Sequence, residues 1–154
     1  KPCPGRMELL ELPGDILVLD DSYNANPLSV HAALNALRDL GSSGRRIAVL
    51  ADMLGWGPTA PDLHHQIGVL AAGRAEWLLT YGPLAEEMAR GAVDGGLDES
   101  HVVTNKSHDE LIEKLVATVR TGDRILVKGS RGMRMEKVVA ALRTDTQKTA
   151  TDGV

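Results

Sequence analysis

The feature that most constrains this chain is an alternation along its sequence. Short apolar runs exchange with longer segments whose apolar residues recur at helical spacing. The runs are Ile16 to Leu19, Ile47 to Leu50, Trp77 to Thr80, His101 to Val103 and Ile125 to Val127. Most are continuously apolar, as strands buried on both faces of a parallel sheet must be. The segments between them read as amphipathic helices. Asn26 is a good N-cap with Pro27 at the first helical position, and Gly41 stops the helix that Val30, Ala33, Leu34, Leu37 and Leu40 stripe. Leu63, Ile67, Leu70 and Ala71 make a second stripe, and Leu84, Met88 and Ala92 a third. Ser107 to Glu110 has the form of a capping box, ahead of Leu111, Ile112, Leu115, Val116 and Val119. Met135, Val138, Val139 and Leu142 make the last stripe. At the start, Met7 to Leu12 and Ile16 to Leu19 flank Pro13-Gly14, which predicts an antiparallel hairpin. The whole predicts an α/β, Rossmann-like, mostly parallel sheet with helices on both faces and an N-terminal hairpin.

Composition narrows the class. The 154 residues suit one domain, with 43% hydrophobic and 25% charged side chains, as in a globular protein. A net charge of −4 argues against a nucleic-acid partner, which usually calls for a basic excess. No apolar run approaches the length of a membrane span. The single cysteine, Cys3, excludes an internal disulfide framework and a multi-cysteine zinc site. With no signal-peptide pattern, the expected setting is cytoplasmic. Lys1-Pro2-Cys3-Pro4-Gly5 has a linker's composition and no initiator Met, so the expectation is a domain (1–143) excised from a longer chain. Residues 144–154 are polar and aperiodic and are expected to form a disordered tail.

In an open α/β sheet, ligands bind beyond the carboxyl ends of the strands. The loops there are polar. Asp20 to Pro27 and Lys128 to Gly132 are the densest, and they would share one crevice if the sheet is parallel. Other candidates read as structural. His64 and His65 are adjacent, so on a helix they point about 100° apart and cannot chelate one metal. His31, His101 and His108 are isolated, and Trp77 reads as packing. Trp56, between glycines, is either packing or exposed. Neither G-x-G-x-x-G nor G-x-x-x-x-G-K-[ST] occurs, so no phosphate loop is present.

The two dense loops carry a family likeness. Asp20-Asp21-Ser22-Tyr23-Asn24-Ala25-Asn26-Pro27 resembles the DDSYNANP signature of the Mur ligases, of the MurF type that adds D-alanyl-D-alanine. Lys128-Gly129-Ser130-Arg131-Gly132-Met133-Arg134-Met135-Glu136 resembles that family's KGSRxMxxE segment. Gly5-Arg6 resembles the GR that opens its C-terminal domain. Leu50 to Leu54, with His64 to Gly68, resembles its LGxMxELG and HxxVG segments. The likeness runs from about Gly5 to Leu142. Two departures stand out: Gly55-Trp56-Gly57 replaces the usual ELG, and Ala51 replaces a common Gly.

The resemblance implies the C-terminal domain of a three-domain cytoplasmic ligase of peptidoglycan synthesis. Such an enzyme uses ATP and Mg2+ to join D-Ala-D-Ala to UDP-MurNAc-tripeptide through an acyl phosphate. The P-loop and magnesium ligands would lie in the central domain, and this domain alone would be inactive. By resemblance, Arg6 reaches the nucleotide phosphates and Asp21 the ribose hydroxyls, with Tyr23 and Asn24 lining the nucleotide. Asn26, Lys128, Ser130 and Arg131 fall to the incoming dipeptide, although Asn26 also reads as a plain N-cap. Glu136 opens the last helix, where the dipole favours a carboxylate. His64 matches a family histidine with no role derivable from the sequence. Two other readings stay open: a folylpolyglutamate-synthase-like ligase, and a free-standing nucleotide- or metabolite-binding module without chemistry.

Overall fold

A computed structural model describes residues 3–41 and 44–152. Six strands form one sheet: β1 (Glu8–Leu12), β2 (Ile16–Asp21), β3 (Arg46–Ala51), β4 (Trp77–Tyr81), β5 (Val102–Asn105) and β6 (Arg124–Lys128). Their order across the sheet is β1-β2-β6-β3-β4-β5. The β1–β2 pair is antiparallel, turning through Pro13-Gly14, and every other pair is parallel. The last strand in sequence therefore sits in the middle of the sheet, between β2 and β3.

Among the described residues, five α-helices cover the sheet: α1 (Pro27–Asp39), α2 (Ala60–Ala72), α3 (Ala85–Asp94), α4 (His108–Thr118) and α5 (Glu136–Asp152). The pleat divides the core in two. Ile47 and Val49 of β3, with Ile125 and Val127 of β6, pack against Leu111, Leu115, Val138 and Leu142 of α4 and α5. Ala48, Leu50 and Leu126 face the other way, onto Leu34 and Leu37 of α1, Ile67 of α2 and Met88 of α3. Burial of both faces explains why these strands read as unbroken apolar runs.

Helix starts follow the sequence signals. The Asn26 side chain accepts from the Ser29 backbone N–H at 2.9 Å, and the Ser29 hydroxyl accepts from the Asn26 N–H at 3.0 Å. The Ser107 hydroxyl caps α4 by accepting from the Glu110 N–H at 3.1 Å. The Glu110 carboxylate, however, accepts from the Lys106 N–H rather than closing the expected box on Ser107.

Two expectations are corrected. His101 belongs to a 3-10 turn over Glu99–His101, its ring stacked on Trp77 at 4.4 Å, and β5 begins one residue later. The expected disordered tail is helical as far as Asp152. Thr146 is buried there, and its hydroxyl donates to the Leu142 carbonyl at 3.0 Å. A threonine can satisfy its own hydroxyl within the helix, so a polar sequence does not end α5. Residues 153 and 154 lie outside the described residues.

Candidate functional site

The loops after β2 and β6 leave the sheet toward opposite faces, β2 into α1 and β6 toward α5. Adjacent parallel strands that part in this way leave a crevice at their carboxyl ends. A cavity of about 320 Å³ sits there, lined by Arg6, Met7, Asp21, Tyr23, Asn24, Asn26, Ser29, Ala32 and Lys128. A roomier cavity of about 600 Å³ lies at the far end, between the hairpin turn and the last turns of α5. None of the candidate site residues lines it.

An ion pair forms the floor of the crevice. The β2–β6 register sets Asp21 beside Lys128, and the Lys128 ammonium donates to Asp21 Oδ2 at 2.6 Å. Both residues are buried, at 7% and 2% exposure. Lys128 also donates to the Asn24 carbonyl at 2.9 Å, and Asp21 Oδ1 accepts from the Met7 N–H at 3.0 Å. An ionised carboxylate offers about four lone-pair sites and an ammonium three protons, so both groups keep capacity for a ligand. Asp20 is spent on the loop itself, accepting from the Ser22 N–H at 3.1 Å and the Ser22 hydroxyl at 2.6 Å.

The rim is cationic. The Arg6 guanidinium lies over the Tyr23 ring, 4.1 Å from its centroid, and that of Arg131 lies 5.8 Å from the same centroid. Arg131 also pairs with Glu136 at 3.0 Å. Burial works to raise the Glu136 carboxyl. Its own backbone N–H at the start of α5 and the Arg131 guanidinium outweigh that effect and hold it below the usual carboxylate range. Gly5 is required beside this rim. It has φ +76°, and a Cβ there would stand 3.1 Å from the Ser22 hydroxyl and 3.2 Å from the Tyr23 nitrogen.

The structure thus gathers Arg6, Asp21, Tyr23, Asn24, Asn26 and Lys128 around one cavity, with Arg131 beside Tyr23. Ser130 stands apart. It is buried, and its hydroxyl accepts from the Leu54 N–H at 2.7 Å, close to the Ala25 carbonyl. Sequence reading missed Met7, Ser29 and Ala32 in the lining. Only Ser29 had a signal, as the third residue after an Asn N-cap.

The neighbouring loop after β3 is held by buried groups. His64 is fully buried; Met53 donates its N–H into Nε2 at 2.9 Å, and Nδ1 lies 2.6 Å from the Ala60 carbonyl. Those partners define the Nδ1–H tautomer and give His64 a loop-fixing role. Asp52 is also buried and accepts from the Leu84 N–H with both oxygens at 3.1 Å. Burial raises its carboxyl above the ordinary value despite Leu84 and His64. Trp56 is exposed. Among the described residues, no three His, Cys, Asp or Glu side chains form a metal-ligand group, and no helix is long and apolar enough to cross a membrane.

Sheet order, crossovers and a polar crevice at a switch point define a Rossmann-like domain. The chain belongs to the Mur ligase family: residues 5–131 match the domain described as "Mur ligase, glutamate ligase domain". It is 31% identical over 138 residues to the UDP-N-acetylmuramoyl-tripeptide–D-alanyl-D-alanine ligase of Bacillus subtilis, covering 89% of this chain and 30% of that protein. The Escherichia coli ligase of the same name is 34% identical over 146 residues, covering 93% and 30%. Among solved structures, the MurF ligase of Thermotoga maritima in complex with ADP superposes with a TM-score of 0.79 at 25% identity, covering 96% of this chain and 32% of that one. MurF from Acinetobacter baumannii gives a TM-score of 0.83 at 25% identity, covering 94% and 31%. Escherichia coli FolC shares the fold, with a TM-score of 0.60 at 19% identity and 92% and 33% coverage. The chain spans about 30% of the length of these two ligases.

Proposed function

We propose that this chain serves as the C-terminal domain of a cytoplasmic, ATP-dependent amide ligase of peptidoglycan precursor synthesis, a domain that runs past the expected boundary at 143 through α5. The reaction joins D-Ala-D-Ala to UDP-MurNAc-tripeptide. The carrying observation is that Asp21, Tyr23, Asn24 and Asn26 of the first signature loop and Lys128 of the second, far apart in sequence, line one crevice. The names of the relatives supply the substrates.

In the first step the terminal carboxylate of the tripeptide attacks the γ-phosphorus of ATP. An acyl phosphate forms and ADP leaves. The dipeptide amine then attacks the acyl carbon, loses a proton, and expels phosphate. Cationic groups must offset charge on the transferring phosphoryl, and closure must exclude water from the acyl phosphate. Magnesium would supply charge neutralisation when bound. The family resemblance assigns its ligands to the central domain.

Roles follow from what each group has left to offer. Arg6, exposed on the rim, meets nucleotide phosphate. Asp21 accepts from the ribose diol through lone pairs that Lys128 and Met7 leave open. Tyr23 and Asn24 line the nucleotide side. Asn26 turns its amide N–H toward the dipeptide while its oxygen caps α1. Lys128 and Arg131 attract the dipeptide carboxylate. Ser130, with its hydroxyl lodged against Leu54, holds the loop that presents them. The N-terminal and central domains of the same chain complete the site.

The test is ADP release by the full-length parent enzyme, supplied with UDP-MurNAc-tripeptide, magnesium and ATP. D-Ala-D-Ala and glutamate are compared as acceptors. Release dependent on D-Ala-D-Ala is expected. Release with glutamate alone, or none with either acceptor, refutes the assignment.

A further inference from the structure

The arginine on the rim is held in an unusual way. Arg6 is exposed, and among the described residues no carboxylate lies within ion-pair reach of it. Its guanidinium lies on the Tyr23 ring, 4.1 Å from the centroid. The backbone that carries the ring is held in turn. The Tyr23 N–H donates to the Gly5 carbonyl at 2.8 Å, and the Met7 N–H donates to Asp21. Residues 5–7 and 21–23 therefore form a short backbone clasp, with Arg6 and Tyr23 projecting from its two sides.

A carboxylate partner would fix an arginine while cancelling its charge and occupying its donors. An aromatic face fixes it and does neither. Arg131 shows the contrast, because its charge is already offset by Glu136. We propose that Tyr23 is a positioning residue: its ring pre-orders the Arg6 guanidinium, leaving all five N–H donors and the full charge free for a phosphate-class anion. This deepens the nucleotide side of the function proposed above and rests on it. The phenol oxygen takes no part, so phenylalanine should replace tyrosine without loss.

The experiment uses the full-length parent enzyme with Tyr23→Leu, Tyr23→Phe, Arg6→Leu and the Arg6→Leu/Tyr23→Leu double variant. Because the Tyr23 side chain is 40% exposed, the leucine variant should fold, and its Tm is the control. Losing an exposed cation–π contact should raise KM for ATP roughly two- to fivefold at unchanged kcat. Tyr23→Phe should match the wild type. Tyr23→Leu should lose most of its effect once Arg6 is gone, because the ring acts mainly through that guanidinium. A wild-type KM for Tyr23→Leu overturns the proposal. So does a KM effect that multiplies with that of Arg6→Leu, or one that phenylalanine fails to rescue. Equilibrium affinity for ADP, measured on the same four variants, reads the clasp separately from turnover. If D-Ala-D-Ala-dependent release is missing but the affinity pattern holds, the ligase assignment falls and the clasp stands.

Discussion

Lys128→Met is the most informative change to the crevice, because it leaves a buried charge without its partner. Asp21 is 7% exposed and keeps one donor, the Met7 N–H, once the ammonium at 2.6 Å is removed. The Asn24 carbonyl loses its donor in the same step. Breaking a buried ion pair from one side destabilises by about 3–5 kcal/mol, mostly the cost of the uncompensated charge. Against a typical domain stability of about 5–15 kcal/mol, that is a large fraction. With a urea slope near 2 kcal/mol/M, the denaturation midpoint of this chain should fall by about 2 M. Adding Asp21→Asn should restore much of the loss, since the amide oxygen still accepts from Met7 and no charge remains buried. The assay is equilibrium urea unfolding of the wild type, both single variants and the double variant. A midpoint shift under about 0.3 M for Lys128→Met, or a double variant whose loss equals the sum of the singles, would refute the reasoning.

Two further perturbations probe the scaffold around the site. A Cβ at Gly91 would stand 2.0 Å from the His65 carbonyl oxygen, and one at Gly68 would stand 2.0 Å from that of Met88. Gly91→Ala must therefore push α2 and α3 apart at a cost of about 1–3 kcal/mol, read as a drop in Tm; a change under about 1 °C would contradict the close packing. For Asp52 the folded carboxyl is raised, so the native state binds more protons than the unfolded one as pH passes through that range, and the ionised group costs stability above it. Asp52→Asn should thus gain stability relative to the wild type as pH rises from about 3 to 7. A pH-independent difference in unfolding free energy would show that burial of this carboxylate carries no net penalty.

Much of this fold is legible because its strands are buried on both faces. Ile47 to Leu50 and Ile125 to Val127 have no polar side to disguise them, and Asn26-Pro27 and Ser107 mark helix starts by local hydrogen bonding alone. Where a residue serves two masters, legibility fails. His101 has strand-like neighbours, but its ring stacks on Trp77 from the end of a 3-10 turn. Residues 144–151 look like a tail, yet the hydroxyls of Thr144, Thr146 and Thr151 bond back to carbonyls four residues earlier and the helix continues. At the site, the two loops could be paired from their composition, provided that the sheet was parallel. The Asp21–Lys128 ion pair could not. It depends on β6 inserting beside β2, and strand order is set by which faces the crossing helices cover, which no local pattern encodes.

That insertion also ties the crevice to the segment that leads into the domain. Asp21 accepts from the Met7 N–H with one oxygen and from Lys128 with the other. Tyr23 donates its N–H to the Gly5 carbonyl and carries Arg6 on its ring. A ligand that draws on Asp21 or Arg6 therefore acts on both sides of the clasp formed by residues 5–7 and 21–23. The clasp is short, mostly backbone, and anchored at one end by the buried Asp21–Lys128 pair. Under the proposed ligase function, coupling of this kind would let nucleotide occupancy bias the angle between this domain and its partner domains. Differential affinity between open and closed arrangements is the only source from which a ligand can supply that bias. The groups able to provide it are Arg6 and Asp21, because they contact the clasp and face the cavity at once.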